Sequence, residues 1–121
     1  MTTKFPLISI ITINYNTPEI TCDLISSIEQ NNYSNYEIIV VDNASEKGNT
    51  NSIIRKFPNV TLLQSKQNLG FSGGNNLGIK NAKGDFIFLL NNDTVINPNT
   101  IEELVNQLLQ DSTIGAVSPK I

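Results

Sequence analysis

Four short apolar runs, separated by stretches of helical periodicity, constrain this chain more than any other feature. The runs are Leu7-Ile8-Ser9-Ile10-Ile11-Thr12-Ile13, Glu37-Ile38-Ile39-Val40-Val41, Val60-Thr61-Leu62-Leu63 and Phe86-Ile87-Phe88-Leu89-Leu90. Each is too short for a helix, rich in β-branched or aromatic residues, and nearly continuous rather than alternating. A parallel strand covered on both faces needs that pattern.

The intervening segments read as helices. Thr17-Pro18-Glu19 supplies a capping hydroxyl, a first-turn proline and an acid near the positive end of the dipole. Ile20, Leu24, Ile25 and Ile28 follow as one apolar face, and Asn31-Asn32 ends the helix. A short helix around Ser52 to Phe57 stops at Pro58. Asn68 to Asn76 reads as a loop running into a helix that carries Leu77, Ile79 and Ala82. The last helix has Thr100 and Glu103 in capping-box spacing, with Asn97 before Pro98 as the other candidate cap. Its face is Ile101, Leu104, Val105, Leu108 and Leu109. Strand and helix alternating four times predict a three-layer α/β/α fold with a mostly parallel sheet. Ile114-Gly115-Ala116-Val117 reads as the start of a further strand, so residues 1–121 are expected to be a portion of a longer domain.

Several function classes are excluded at this stage. A chain of 121 residues can bury a real core, and 39% hydrophobic with 16% charged residues is ordinary for a globular protein. With net charge −3 and only scattered lysines, nucleic acid is not an expected partner. One cysteine, Cys22, permits no internal disulfide and no cysteine-based zinc site, and reads as a packing residue. The absence of histidine excludes a histidine-based triad or metal cluster within the chain. The run from Leu7 to Ile13 lacks the basic start and cleavage site of a secretory signal, and no segment approaches a membrane span of roughly 20 apolar residues. The expected location is the cytoplasm, peripheral at the inner face of the membrane for the full-length protein.

In open parallel sheets, ligands bind beyond the carboxyl ends of the strands. Asn14, Tyr15 and Asn16 follow the first strand, Asp42 and Asn43 the second, Asn68 and Gly70 the third, and Asn91, Asn92 and Asp93 the fourth. Asparagine and aspartate are common in turns, but their use after all four strands favours a polar ligand. Asp85 and Asp93 bracket the fourth strand and lie on the order of 26 Å apart, at about 3.3 Å per residue, so they cannot share a site. Asp93, on the ligand edge, either caps the turn before Pro98 or holds a divalent cation that arrives with a diphosphate. Tyr15 either stacks on a ligand or covers the sheet end. Gly73 and Gly74, with Ser72 as a possible cap, either offer N–H groups to an anion or allow a helix to pack closely on a strand. The first strand is followed by no glycine, which disfavours a dinucleotide fingerprint.

Four segments in order, Ile10 to Asn16, Val40 to Ser45, Asn68 to Asn76 and Leu89 to Thr94, resemble family 2 glycosyltransferases, and within them the rhamnosyltransferase-like branch. Each motif is weak alone; the ordered set covers almost the whole chain. The resemblance implies the nucleotide-sugar half of a GT-A fold, truncated before the acceptor-binding half. It assigns Asp42 to the donor's nucleobase, with backbone around Thr12 to Asn14 lining that base. Asn75 stands where many relatives carry arginine, which leaves the diphosphate without one expected cation. Asn91-Asn92-Asp93 matches the metal-binding D-x-D region, with Asp93 the retained acid for Mn2+ or Mg2+. The expected nucleotide-binding set is Thr12, Asn14, Tyr15, Asn16, Asp42, Asn68, Gly70, Gly73, Asn75 and Asn92. The implied reaction is inverting transfer from a nucleoside-diphosphate sugar to a hydroxyl of a glycan or lipid-linked acceptor, in cell-surface polysaccharide synthesis. The catalytic base is expected beyond Ile121, so this segment is expected to bind donor without transferring sugar. The competing expectation is a non-catalytic scaffold or partner-binding module on the same fold.

Overall fold

The structure, a computed structural model, describes residues 5–111. Its elements are β1 (Ile8–Asn14), α1 (Pro18–Glu29), β2 (Tyr36–Asp42), α2 (Asn51–Lys56), β3 (Thr61–Gln64), α3 (Gly70–Asn81), β4 (Phe86–Asn91) and α4 (Thr100–Gln110). The four strands form one sheet in the order β3-β2-β1-β4, and every pairing is parallel. This is the expected α/β arrangement, with β1 at its centre.

Hydrophobic burial explains the layering. Ile8 and Ile10 of β1 and Ile38 and Val40 of β2 face one core, which Leu24, Ile25 and Ile28 of α1, Ile53 of α2, and Ile101 and Val105 of α4 complete. Ile11 of β1 and Ile39 and Val41 of β2 face the other core, under Leu77 of α3. Each fully buried isoleucine contributes about 1.5–3 kcal/mol relative to exposure, so the two-sided apolar runs of β1 and β2 hold the sheet together. The two edge strands depart from that expectation: Thr61 and Gln64 of β3 are exposed and its two leucines only half-buried, and no residue is fully buried in β4. Its residues alternate between half-buried and exposed, and Ile87 and Leu89 remain 41% and 44% exposed.

Packing overrides local preference in three places. The first is α3, which begins at Gly70, inside the segment expected to be a loop. Glycine costs about 1 kcal/mol in a helix interior, yet a Cβ on Gly74 would lie 2.8 Å from Ile13 Cδ1, and one on Gly78 would lie 2.6 Å from Ile11 Cγ2. The glycines let α3 press onto β1, and that contact outweighs propensity. In α1 the buried stripe is Thr21, Leu24, Ile25 and Ile28, while Ile20 is 42% exposed. The third place is the start of α4, where Thr100 is already helical and Asn99 occupies the cap position without a side-chain capping bond, its Oδ1 accepting from Asn32 Nδ2 instead. The capping box is therefore not formed. Instead the Asn32 N–H bonds the Pro98 carbonyl at 2.7 Å and ties this turn to the end of α1. Thr17 likewise makes no capping bond. Ile114 to Val117, the expected extra strand, lie outside the described residues.

Candidate functional site

The chain winds outward from β1 through β2 to β3, then returns to the far side of β1 as β4. The carboxyl ends of β1 and β4 therefore meet where the winding direction reverses, and a crevice opens at such a point. Asn14 pairs with Asp42 in register, and Ile13 with Asn91, so the tips of β2, β1 and β4 end level. The strands carrying Asp42 and Asp93 flank β1 and run about 10 Å apart, twice the inter-strand spacing. Asp85 sits at the opposite end, where its Oδ2 accepts the Leu7 N–H at 2.9 Å, as a turn residue should.

A continuous polar network fills the space between those tips. Asp42 is 5% exposed, and its Oδ1 accepts bonds from Asn14 Nδ2 at 2.9 Å, Ser45 Oγ at 2.5 Å and Thr50 Oγ1 at 3.3 Å. Its Oδ2 accepts only the Ser45 N–H, at 3.1 Å. An ionised carboxylate offers about four acceptor positions, so Oδ2 keeps capacity for a donor on a ligand. Asn14, fully buried, passes the network on by accepting from Thr21 Oγ1 at 2.6 Å. Asn92 Nδ2 donates to Thr21 Oγ1 at 3.0 Å and to Thr17 Oγ1 at 2.9 Å. Buried polar groups paired in this way meet their desolvation cost internally.

The other expected residues fall into distinct places. Asn16, at φ 63°, accepts the Glu46 and Lys47 N–H groups on Oδ1 at 2.8 and 2.9 Å, locking the loop after β1 to the loop after β2. Tyr15 is 41% exposed at the sheet end. The Asn43 amide clasps the start of α3, taking the Leu69 N–H and donating to the Gly70 carbonyl, each at 3.0 Å. Asn68 Oδ1 accepts the Gly70 N–H at 2.9 Å, and Gly70 adopts φ 73°, a left-handed conformation that suits glycine. Gly73 and Gly74 lie within α3, so their N–H groups belong to the intrahelical ladder. Of the two readings of these glycines, close packing on β1 is the one Gly74 fulfils; neither offers a free N–H to an anion. Asn75 is buried at 6% exposure on α3. Thr12, on β1 two residues before Asn14, is fully buried, and its hydroxyl has no partner. Asp93 is exposed at the β4 tip.

Thr21, Ser45 and Thr50 were missed as network members. Ser45 had a signal, because a hydrogen-bonding residue three positions after Asp42 closes an aspartate turn. Thr21 had only a faint one, a hydroxyl standing in an apolar stripe. Cys22 is buried beside it, and burial is the main cause that raises its thiol pKa, with Lys56 opposing and Asp23 and Glu19 adding to the rise. That is a packing residue. Two cavities, of about 320 and 280 Å³, lie at the opposite end of the sheet around Tyr33 and Ser34, away from this network. Among the described residues no cluster of three or more acidic, cysteine or histidine side chains could hold a metal, and no helix is long and apolar enough to cross a membrane.

Comparison with known proteins gives this edge its context. The family model described as glycosyl transferase family 2 matches residues 9–120. An uncharacterised glycosyltransferase of Rickettsia prowazekii (strain Madrid E) is 38% identical over 103 residues, covering 85% of this chain and 32% of the relative. Hyaluronan synthase of Pasteurella multocida is 33% identical over 119 residues, covering 93% of this chain and 12% of the synthase. Among solved structures, the mannosyltransferase PcManGT from Pyrobaculum calidifontis, in complex with GDP-Man and Mn2+, matches with a TM-score of 0.86. Its identity is 27%, over 96% of this chain and 36% of that one. S. aureus TarS 1–349 in complex with UDP matches with a TM-score of 0.78 at 23% identity, over 93% of this chain and 38% of that one, and speaks for the fold alone. The chain spans between 12% and 38% of the length of the curated relatives it matches. The sheet and its helices are those of GT-A glycosyltransferases.

Proposed function

The chain belongs to glycosyl transferase family 2, and from that premise we propose that it binds the nucleoside-diphosphate-sugar donor of an inverting glycosyltransferase. The observation that carries the reading is the buried Asp42, anchored through Oδ1 by three side chains and left with acceptor capacity on Oδ2. A fixed acceptor of that kind suits a nucleobase N–H. Asn14 and Asn16 hold the floor and rim of the base site, Tyr15 lies against the base, and Asn68, Gly70, Asn75 and Asn92 border the sugar and diphosphate.

Asp93 is a lone exposed carboxylate at the neighbouring strand tip, following Asn91 and Asn92 in the chain. One carboxylate with neutral oxygens fits Mg2+ or Mn2+, which keeps water and takes substrate phosphates as its remaining ligands. Such an ion, when bound, offsets the charge that develops on the leaving nucleoside diphosphate. What the chain itself does is bind and orient: Asp42 fixes the base, and the network from Asn14 to Asn92 holds the two tips apart by a set distance. The proton on the acceptor hydroxyl goes to a carboxylate base outside residues 1–121, so this segment alone holds donor without transferring sugar.

Within the family we place the chain in the rhamnosyltransferase-like branch, on Asn68 to Asn76 and Asn91 to Thr94. The likeness to a hyaluronan synthase supports a polysaccharide product, and we place its synthesis at the cytoplasmic face of the membrane. A melting-shift panel of UDP, dTDP and GDP, each with and without Mn2+, tests the reading. One nucleotide is expected to stabilise the chain more with Mn2+ than without. A ligand at a hundred times its Kd adds about 2.7 kcal/mol. Asp93→Ala should remove the metal-dependent part and spare the fold, since the side chain is exposed. No shift with any of the three would end the reading in favour of a non-catalytic module.

A further inference from the structure

We propose that Thr21, on α1, is a positioning residue that fixes the β4 tip, and with it Asp93, relative to Asp42; this rests on the donor-binding reading above. The direction of every hydrogen bond in the network follows from one fact. An ionised carboxylate only accepts, so Asn14 must turn its Nδ2 toward Asp42, at 2.9 Å. Asn14 Oδ1 is then the acceptor on its other side, and Thr21 Oγ1 must donate to it, at 2.6 Å. The Thr17 carbonyl, at 3.3 Å, is the more distant alternative acceptor; with its proton committed to either, the Thr21 oxygen can take only a donor. Asn92 Nδ2 supplies one at 3.0 Å, and its second hydrogen reaches Thr17 Oγ1 at 2.9 Å.

The charge at Asp42 thus sets an orientation that passes through Asn14 and Thr21 to Asn92, the residue next to Asp93. Asn14 and Thr21 are both 0% exposed, so no bulk water competes for these bonds. Valine has the shape of threonine but neither donates nor accepts. In its place, Asn14 Oδ1 and one Asn92 N–H would be left unpaired, and beyond the last ladder pair, Ile13 with Asn91, only the Thr17 bond would still hold the Asn92 amide. Serine would keep both bonds. A nucleoside diphosphate held by its base at Asp42 and by its metal-bound diphosphate at Asp93 needs a fixed span between the two. A nucleoside, which lacks the diphosphate, does not.

The test uses the 121-residue chain with whichever of UDP, dTDP and GDP stabilises the wild type most, with and without Mn2+, and the matching nucleoside. Affinities are measured by calorimetry. Thr21→Val is expected to bind the nucleoside diphosphate with Mn2+ about ten-fold more weakly, while Thr21→Ser stays within about two-fold of wild type. Nucleoside affinity should fall by a smaller factor than nucleoside-diphosphate affinity in the valine variant, because Asn14 keeps its bond to Asp42; a general loss of structure would weaken both equally. If the valine variant does not fold, Thr21→Cys replaces it, as a small apolar residue with only a weak S–H donor. A valine or cysteine variant that keeps wild-type affinity and the full Mn2+ enhancement would overturn the positioning role and leave donor binding standing. A wild type that binds none of the three nucleotides would overturn both.

Discussion

Replacing Gly78 by alanine should destabilise this protein, although alanine is the better helix former. A Cβ at position 78 would stand 2.6 Å from Ile11 Cγ2, 3.3 Å from its Cδ1 and 3.4 Å from its Cγ1. Carbon atoms rest comfortably about 3.5–4.0 Å apart, so the helix or the isoleucine must move by about 1 Å. Ile11 is fully buried in one cluster with Ile39 and Val41, where close packing resists such a shift. Overpacking of this kind costs about 1–3 kcal/mol. Against that stands a gain of about 1 kcal/mol from helix propensity and a stiffer unfolded chain. The net expectation is a loss of about 1 kcal/mol, a drop of about 4 °C in melting temperature for a chain of this size. Thermal melts and urea midpoints, with an unchanged m-value, would measure it. Asn76→Ala, at an exposed position on the same helix, isolates propensity and should shift the midpoint the other way by about 0.5 kcal/mol. A higher melting temperature for Gly78→Ala would show that α3 does not press on β1, and would remove the reason given for its glycines.

Thr12→Val should raise stability by about 1 kcal/mol, because the buried Thr12 hydroxyl has no partner and pays its desolvation in full. A lower urea midpoint for this variant would mean that an ordered water or another group satisfies that hydroxyl. Stability should also fall in alkali. Burial is the first cause that raises Cys22, Tyr33 and Tyr36 above their ordinary values, with Asp85 adding to the rise at Tyr33 and Glu29 at Tyr36. Each group is thus favoured as its neutral form in the folded state, and its contribution is complete below the ordinary value. That contribution is lost as pH rises through the raised one. The decline should begin near pH 9.0 for the thiol and near 10.0 for the tyrosines. A flat urea midpoint between those values and pH 11 would contradict it.

Much of this molecule was legible in its sequence, and the physical reason is periodicity. A β-branched run with no polar face points to a strand, and four of them separated by helical stretches point to a parallel sheet, although only β1 and β2 are covered on both sides. All eight elements lie within a few residues of where that periodicity puts them, except the start of α3. It also placed Asn14, Asp42 and Asn92 at one edge, because parallel strands all end on the same side. Ending there was enough to mark the site, but not to say what each residue does in it.

Tertiary contact decided the rest. The glycines from Gly70 to Gly74 favour a loop, yet the Asn43 clasp on Leu69 and Gly70 and the close approach of Gly74 to Ile13 of β1 make that stretch the first turns of α3. Periodicity put Ile20 on the buried face of α1, while the need of Asn14 Oδ1 for a donor brought Thr21 inward instead. No local signal distinguishes Asn92 tied to Thr17 and Thr21 from an asparagine free to meet a ligand. Its partners lie 75 and 71 residues away in the chain. Strands and helices are written in short-range pattern, because backbone hydrogen bonding and burial repeat with a fixed period. The pairing of single buried polar atoms has no period, so it exists only once the chain has closed around them.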